Sequence, residues 1–339
     1  MTLTDLREII LGNKRKLLIF GGILVVGVLA LSFVYREVYP TATKSGGVPS
    51  FNLSATTGAL GGILDSSKLP AVSFPTHAAI YEGTSLGVIM SEQEARALAK
   101  KFGLGGILSV ATTPDGAVYT FVKGKETLMV SAEPREITYS RSNADGSGSL
   151  WGESQASQKA KEFLSSVGLT TSDLSVFGVQ YLGDLQGRFS VVGEDKAKFV
   201  EVSFARLVGS LPLIGESPTE AAARVIFDPS GKIAFLTFDY PDTTFSKVAD
   251  VPLLSLDAVL PQVNREGKVV LVRPEADVSK WALPALPVLT EFVPNEIELA
   301  LVQPMNSKFL YPVYLLSGAG KMQGEDVFAS LYLLAISQD

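Results

Sequence analysis

The run from Leu17 to Tyr35, LLIFGGILVVGVLALSFVY, constrains this chain more than any other feature: nineteen residues without a charge. As a helix rising ~1.5 Å per residue it would be ~28 Å long, matching the ~30 Å hydrocarbon core of a bilayer. Lys14, Arg15 and Lys16 stand directly before it. Positive charge stays on the cytoplasmic side, so the spacing predicts a cytoplasmic tail over residues 1–16, a single transmembrane helix over 17–35, and everything after Arg36 outside the cell membrane. Ala30-Leu31-Ser32 is a small-x-small triplet that a signal peptidase accepts, which leaves cleavage as the competing reading. The apolar run continues through Phe33, Val34 and Tyr35, past the length of an ordinary signal segment, and retention is the expectation. Gly21, Gly22 and Gly27 form no small-xxx-small pair for helix dimerisation.

Charge then limits what the outer part can bind. The tail carries Asp5 and Glu8 against Arg7, Lys14, Arg15 and Lys16, a net +2, while the 339-residue chain is −6, leaving −8 beyond it. An acidic domain without a basic run is no nucleic-acid binder and has no electrostatic grip on anionic lipid. Cysteine is absent altogether. Disulfides, thiolate metal sites and a lipoprotein anchor are thereby excluded, and a large extracytoplasmic domain without disulfides fits a bacterial envelope.

Along the chain, residues 36–75 are about half Gly, Pro, Ser and Thr and read as a flexible stalk. Within it, 69–75 (LPAVSFP) reads as an extended piece laid against the first domain. Ser91 and Glu94 then form an S-x-x-E capping box, with Met90 stapling onto Ala95. Ala95, Leu98, Ala99 and Phe102 make one apolar helical face, stopped by Gly103. Strands are predicted over 117–122 and 128–139, the first following the Thr113-Pro114-Asp115-Gly116 turn. Past a linker at 143–149, Ala156, Ala160, Phe163, Leu164 and Val167 mark a second helix, stopped by Gly168. Its A-x-x-x-A-K-x-F pattern repeats that of Ala95–Phe102 sixty-one residues on, pointing to an internal duplication. Hairpins are predicted at 188–208 and 223–240, where Val200, Val202 and Phe204 alternate with Glu201 and Ser203. A short helix capped by Ser255 is expected at 256–260, cut off by Pro261. Strands at 297–303, 310–317 and 327–336 end the chain.

Chemistry is harder to find. There is no G-x-S-x-G, Ser-x-x-Lys, His-Glu-x-x-His or Walker loop. His77 is the only histidine, so nucleophilic and zinc chemistry lack a general base and a ligand set. The carboxylate pairs are Glu194/Asp195, Asp239/Asp242 and Glu325/Asp326. The first and third fall in predicted turns and the second flanks Pro241 at a strand end, where acidic residues are ordinary surface. Tyr181, Tyr311, Tyr314 and Tyr332 read as half-buried sheet residues or, less simply, as a recognition face. Catalytic, cofactor and metal residues are therefore expected to be none, and the chain is expected not to be an enzyme.

The capped helix with A-x-x-x-A-K-x-F, the Gly-Leu that follows (Gly103-Leu104, Gly168-Leu169) and the hairpin turning on D-x-G-like residues resemble the PepSY domain. The order of anchor, stalk and tandem units is similar to membrane-anchored Yyc-type accessory regulators of two-component systems. The segments carrying the likeness are 91–139, 153–215 and 223–260, and Val208-Gly209-Ser210-Leu211-Pro212-Leu213, at the end of the long strand, resembles the G-x-P-[LV] strand ending of that family. The resemblance implies an α+β fold: one N-terminal transmembrane helix, then tandem PepSY-like units, each a helix packed on antiparallel sheet. The first unit would span 76–142, the second 150–245, and a C-terminal α+β segment 246–339. It implies no catalytic residues. The expected function is a single-pass, membrane-anchored extracytoplasmic protein, held in the bilayer through Leu17 to Tyr35. Its ectodomain would be non-catalytic and would bind or regulate a protein or peptide partner at the cell envelope. The alternatives are a structural part of an envelope or secretion assembly, and a hydrolase with an unrecognised carboxylate site.

Overall fold

The computed structural model describes residues 58–337, apart from 114–115, 134, 143, 145–147, 170–171, 186–187, 215–220, 240–242, 275–287 and 305–306. In chain order the elements are β1 (Gly58–Leu64), β2 (His77–Ser85), α1 (Glu92–Lys101), β3 (Ile107–Thr113), β4 (Gly116–Lys123), β5 (Glu126–Ser131) and β6 (Glu136–Arg141). After these come α2 (Glu153–Ser166), β7 (Leu174–Leu185), β8 (Arg188–Val191), β9 (Phe199–Val208), β10 (Leu211–Ile214), β11 (Ala223–Phe227), β12 (Ile233–Asp239) and β13 (Thr243–Pro252). The chain ends with α3 (Leu256–Val259), α4 (Val263–Glu266), β14 (Lys268–Pro274), β15 (Val288–Val302), β16 (Phe309–Met322) and β17 (Glu325–Leu334).

The α+β expectation is corrected by these elements. The described chain is dominated by strand, seventeen of them joined in one mixed sheet, and only α1 and α2 exceed four residues. The helix-on-sheet units are not separate tandem bodies, and two pairings, β1 with β15 and β10 with β15, are parallel. The predicted transmembrane run, residues 17–35, lies outside the described residues; among those described, no helix is long and apolar enough to cross a membrane.

One part of the sheet runs β3-β4-β5-β6-β12-β11-β9-β7, every neighbour antiparallel. The order reads alike from both edges, with Thr138 opposite Thr237 at its centre. Both helices cover one face. Ala95 and Ala99 of α1 and Ala156, Ala160 and Leu164 of α2 are buried over Phe121, Val130, Ile137, Phe204, Val225 and Leu236. Small alanines at i and i+4 let each helix axis approach the sheet closely, while alternate strand residues supply the bulk. The capping box forms as its sequence dictates: the Glu94 amide donates to Ser91 Oγ (3.3 Å) and the Ser91 amide to Glu94 Oε2 (2.8 Å). The hydrogen bond donated by the Ser91 amide, more than any other contact, holds the Glu94 carboxyl below its ordinary pKa. α2 begins at Gly152 without a side-chain cap.

The other part closes on itself. β15 pairs β16, β16 pairs β17, β17 pairs β14, β14 pairs β1, and β1 returns to β15. Leu60, Leu289, Phe292, Leu316, Val327 and Leu331 fill this five-stranded barrel. Closure removes the sheet edges that an open five-stranded sheet would expose. Gly62 permits it, because a Cβ there would collide with the Thr290 carbonyl across the parallel seam. Residues from Gly58 onward are thus barrel wall and not stalk; their glycines serve close backbone approach instead of flexibility. The 69–75 piece also lies elsewhere than expected. Leu69 and Phe74 pack on the barrel, with the Phe74 and Tyr314 rings 5.0 Å apart.

β2 pairs β13 as a long ribbon whose Ile80 and Val251 cover the outer wall of β15–β17. β2, placed by the sequence at the head of the first unit, pairs with β13 and packs on the barrel. The expected strand at 128–139 is two strands, β5 and β6, with a turn between them. The helix at 256–260 is the single turn α3, and Ser255 makes no side-chain cap. The β9–β10 hairpin links the two parts, β9 in the open sheet and β10 against β15. Its turn needs positive φ at both Gly209 (59°) and Ser210 (84°), and Tyr81 Oη occupies the space a Cβ at Gly209 would take. The 208–213 segment singled out in the sequence is this crossover.

Candidate functional site

The face of the open sheet opposite the helices gathers what the strands point away from the core. Strand alternation puts Thr120 and Val122 of β4, Thr127 and Met129 of β5, Thr138 of β6 and Thr237 of β12 on it. Register sets Thr120 opposite Met129, Met129 opposite Thr138, Thr138 opposite Thr237 and Thr237 opposite Arg224, one row running across five strands. Val122 and Met129 are each 44% exposed. The threonines are half-buried, so methyl and hydroxyl groups alternate along a shallow, nearly neutral platform.

Toward β9 the platform closes over an ion pair. Arg224 donates to both carboxylate oxygens of buried Glu201, at 3.2 and 2.5 Å, and Ser203 Oγ donates to Glu201 Oε1 at 2.9 Å. A bidentate guanidinium with one hydroxyl satisfies a buried carboxylate, which reads as a structural clamp. A second clamp sits where the two halves meet. Arg141 at the end of β6 pairs with Asp228, whose side chain is fully buried, and donates from Nε to the Ile233 carbonyl at 3.0 Å.

Among the described residues, the carboxylates picked out in the sequence sit on separate elements. Glu194 and Asp195 lie exposed in one turn of 3-10 helix, and Glu325 and Asp326 are exposed at the start of β17. Asp239 is exposed at the end of β12, while Asp242 lies outside the described residues. What register places opposite Asp239 is Glu136 of β6, a neighbour 103 positions away that no local pattern could reveal. His77 is exposed at the start of β2, its Nδ1 3.1 Å from Thr76 Oγ1. Among the described residues no group of three or more His, Asp or Glu could hold a metal ion.

The tyrosines divide. Tyr181 is half-buried, and burial followed by nearby Glu194 and Glu153 raises its pKa. Tyr311, Tyr314 and Tyr332 are fully buried and form no recognition face. Tyr314 donates to the Leu254 carbonyl at 2.7 Å, and burial raises the phenol pKa of both Tyr311 and Tyr314. On the helix-covered face, burial and then Glu126 push Tyr139 up to about 12, so it stays a neutral packing group.

The site is thus a surface on a β-dominated scaffold and holds no assembled reactive centre among the described residues. No family model matches the sequence, and no curated protein matches it. Two solved structures are similar at low identity. One is an uncharacterized protein from Eubacterium rectale, 10% identical with a TM-score of 0.48 over 81% of this chain and 89% of that one. Another is the Bacillus megaterium YpeB C-terminal domain, 11% identical with a TM-score of 0.40 over 74% of this chain and 96% of that one.

Proposed function

We propose that this chain is a non-catalytic binding or regulatory protein of the cell envelope whose open sheet face receives a protein partner. The observation that carries the reading is the Thr120-Met129-Thr138-Thr237 row: an accessible, uncharged platform on a rigid eight-strand scaffold. A shallow platform of alternating methyl and hydroxyl groups suits a broad protein surface better than a small molecule. The PepSY-like pattern of helix, Gly-Leu and hairpin in the sequence supports a module that acts by contact. Residues 14–35, three cations and then an uncharged apolar run, support attachment to the bilayer through Leu17 to Tyr35 with the sheet outside the cell.

A photo-cross-linking residue at Met129 in intact cells is expected to give one discrete heavier adduct. The same residue at Lys161, exposed on α2, should give none. Adding Thr138→Arg should abolish the adduct while the protein keeps its melting temperature; equal adducts at both positions would remove the platform from consideration.

Topology has its own check. Protease added to intact cells should digest the region from residue 58 onward and leave a small fragment that includes Leu17 to Tyr35. Full protection of that region would overturn the outside placement.

A further inference from the structure

We propose that β3 is the seam of a homodimer, pairing antiparallel with β3 of a second copy about a two-fold axis at Val110. Among the described residues β3 bonds only to β4, so its other edge presents a row of backbone donors and acceptors. Edges of this kind are ordinarily blunted by charge, proline or a bulge. Two other edges here carry such devices. β7 is bulged between Val176 and Gly178; β13 is bulged between Lys247 and Ala249 and carries the Lys247–Asp250 ion pair. β3, Ile-Leu-Ser-Val-Ala-Thr-Thr, has no charge, proline or glycine, and its register with β4 is unbroken over seven pairs. Residues 109–113 are exposed, and Val110 at the strand centre is 50% exposed.

Charge selects a second copy, and selects its direction. At the Ile107 end lie Lys100 and Lys101 in the last turn of α1, Lys123 at the end of β4 and Lys125 in the β4–β5 turn, against the single acid Glu126 opposite Lys123; Lys123 donates to the Gly103 carbonyl at 2.9 Å. At the Thr113 end lie Glu92 and Glu94 in the first turn of α1, Glu133 beside Gly116 and Glu136 at the start of β6, against Arg96, which pairs with Glu92 at 2.8 Å, and Arg135, whose charge reaches Glu94; four acids to two bases leave this end acidic. The Met90 amide, donating to the Ala132 carbonyl at 3.2 Å, fixes that end of the helix there. An antiparallel two-fold brings the basic end of one copy beside the acidic end of the other, twice over, whereas a parallel arrangement sets like against like. Val110 then faces Val110, Ser109 faces Ala111, Leu108 faces Thr112, and no charge is buried. The eight-strand sheet continues as sixteen strands.

The full-length chain has no cysteine, which makes one introduced thiol an unambiguous reporter. Val110→Cys under mild oxidation should run at dimer mass on a non-reducing gel and return to monomer on reduction, since directly opposed Cβ atoms lie ~4.5–5.5 Å apart. The two thiols of Thr113→Cys would be six residues out of register, ~20 Å apart at ~3.4 Å per residue, and should not link. In sedimentation, Val110→Lys should weaken the dimer at least tenfold while its far-ultraviolet circular dichroism stays that of the native fold, and added salt should weaken the native dimer. Equal cross-linking of both cysteine variants, a native protein monomeric throughout the micromolar range, or a monomer that accepts an extended peptide on β3 would each overturn the proposal.

Discussion

Phe204→Ala is expected to cost about 3–5 kcal/mol, the usual price of emptying a core site of that size. Phe204 is fully buried in β9, packed beneath the helices, and it pairs with Ala223 on one side and Val176 on the other. Neither neighbour is large, so little can swing in to fill the space. A cavity left there loses the apolar transfer energy and the surrounding dispersion contacts together. At ~2–4 °C per kcal/mol for a large domain, the melting temperature should fall by roughly 6–20 °C. Phe163→Ala provides the contrast. Phe163 is the largest residue on its helix face in the sequence, yet in the structure it is only half-buried, edge-on to Phe102 with centroids 5.8 Å apart. Its loss should cost about 1–2 kcal/mol, an aromatic pair plus partial burial. Thermal melts of both variants, measured by circular dichroism on the full-length protein, decide it. A smaller effect at Phe204 than at Phe163 would mean the core centres on the helices and not on β9.

Breaking the Arg141–Asp228 clamp should rank with the core cavity. Arg141→Met leaves a carboxylate buried without its cation, a change that typically costs about 3–5 kcal/mol. The loss should be cooperative, because the pair ties the end of β6 to the turn between β11 and β12. Acid should reproduce it. Burial alone would raise the Asp228 pKa, but bonds from Ser230, Arg141 and the Lys232 amide outweigh it and the net shift is downward. The Ser230 amide and hydroxyl reach Oδ1 at 2.9 and 2.6 Å, and the Lys232 amide at 3.0 Å. A carboxyl whose pKa is lower folded than unfolded contributes stability that is complete above the unfolded value, ~3.9, and is lost as pH falls through the folded value. Denaturant titrations should therefore show a constant stability gap between the native protein and Asp228→Asn from pH 5 to 7. Below pH ~4 that gap should narrow. A gap independent of pH down to 2 would assign the clamp's worth to shape alone.

The barrel shows how a local reading goes astray. Gly61-Gly62 within a Gly/Ser-rich stretch has the composition of a linker, and nothing nearby contradicts that. The strand exists because β14 and β15, more than two hundred residues on, offer their edges, and because glycine alone lets Thr290 come close. The α+β reading failed on the same point. Helical periodicity at α1 and α2 is strong and visible, while β1, β13 and β14 are short or irregular runs whose pairing partners lie far away.

What the sequence determined by itself were features built from neighbours a few residues apart. They include the Ser91–Glu94 box, the alanine faces of α1 and α2, the hairpins β11–β12 and β15–β16, and the shared A-x-x-x-A-K-x-F. Each follows from helix or strand geometry, which fixes which side chains meet within one or two turns. Tertiary structure alone decided what those elements assemble into. It set Thr138 against Thr237, put Glu136 opposite Asp239, closed the five-stranded barrel and, among the described residues, left the Met129 face and the outer edge of β3 without a covering strand. The reason is that strand pairing is satisfied by any backbone edge the chain can bring near, so the choice of edge rests on the packing of the whole core and not on the strand's own residues.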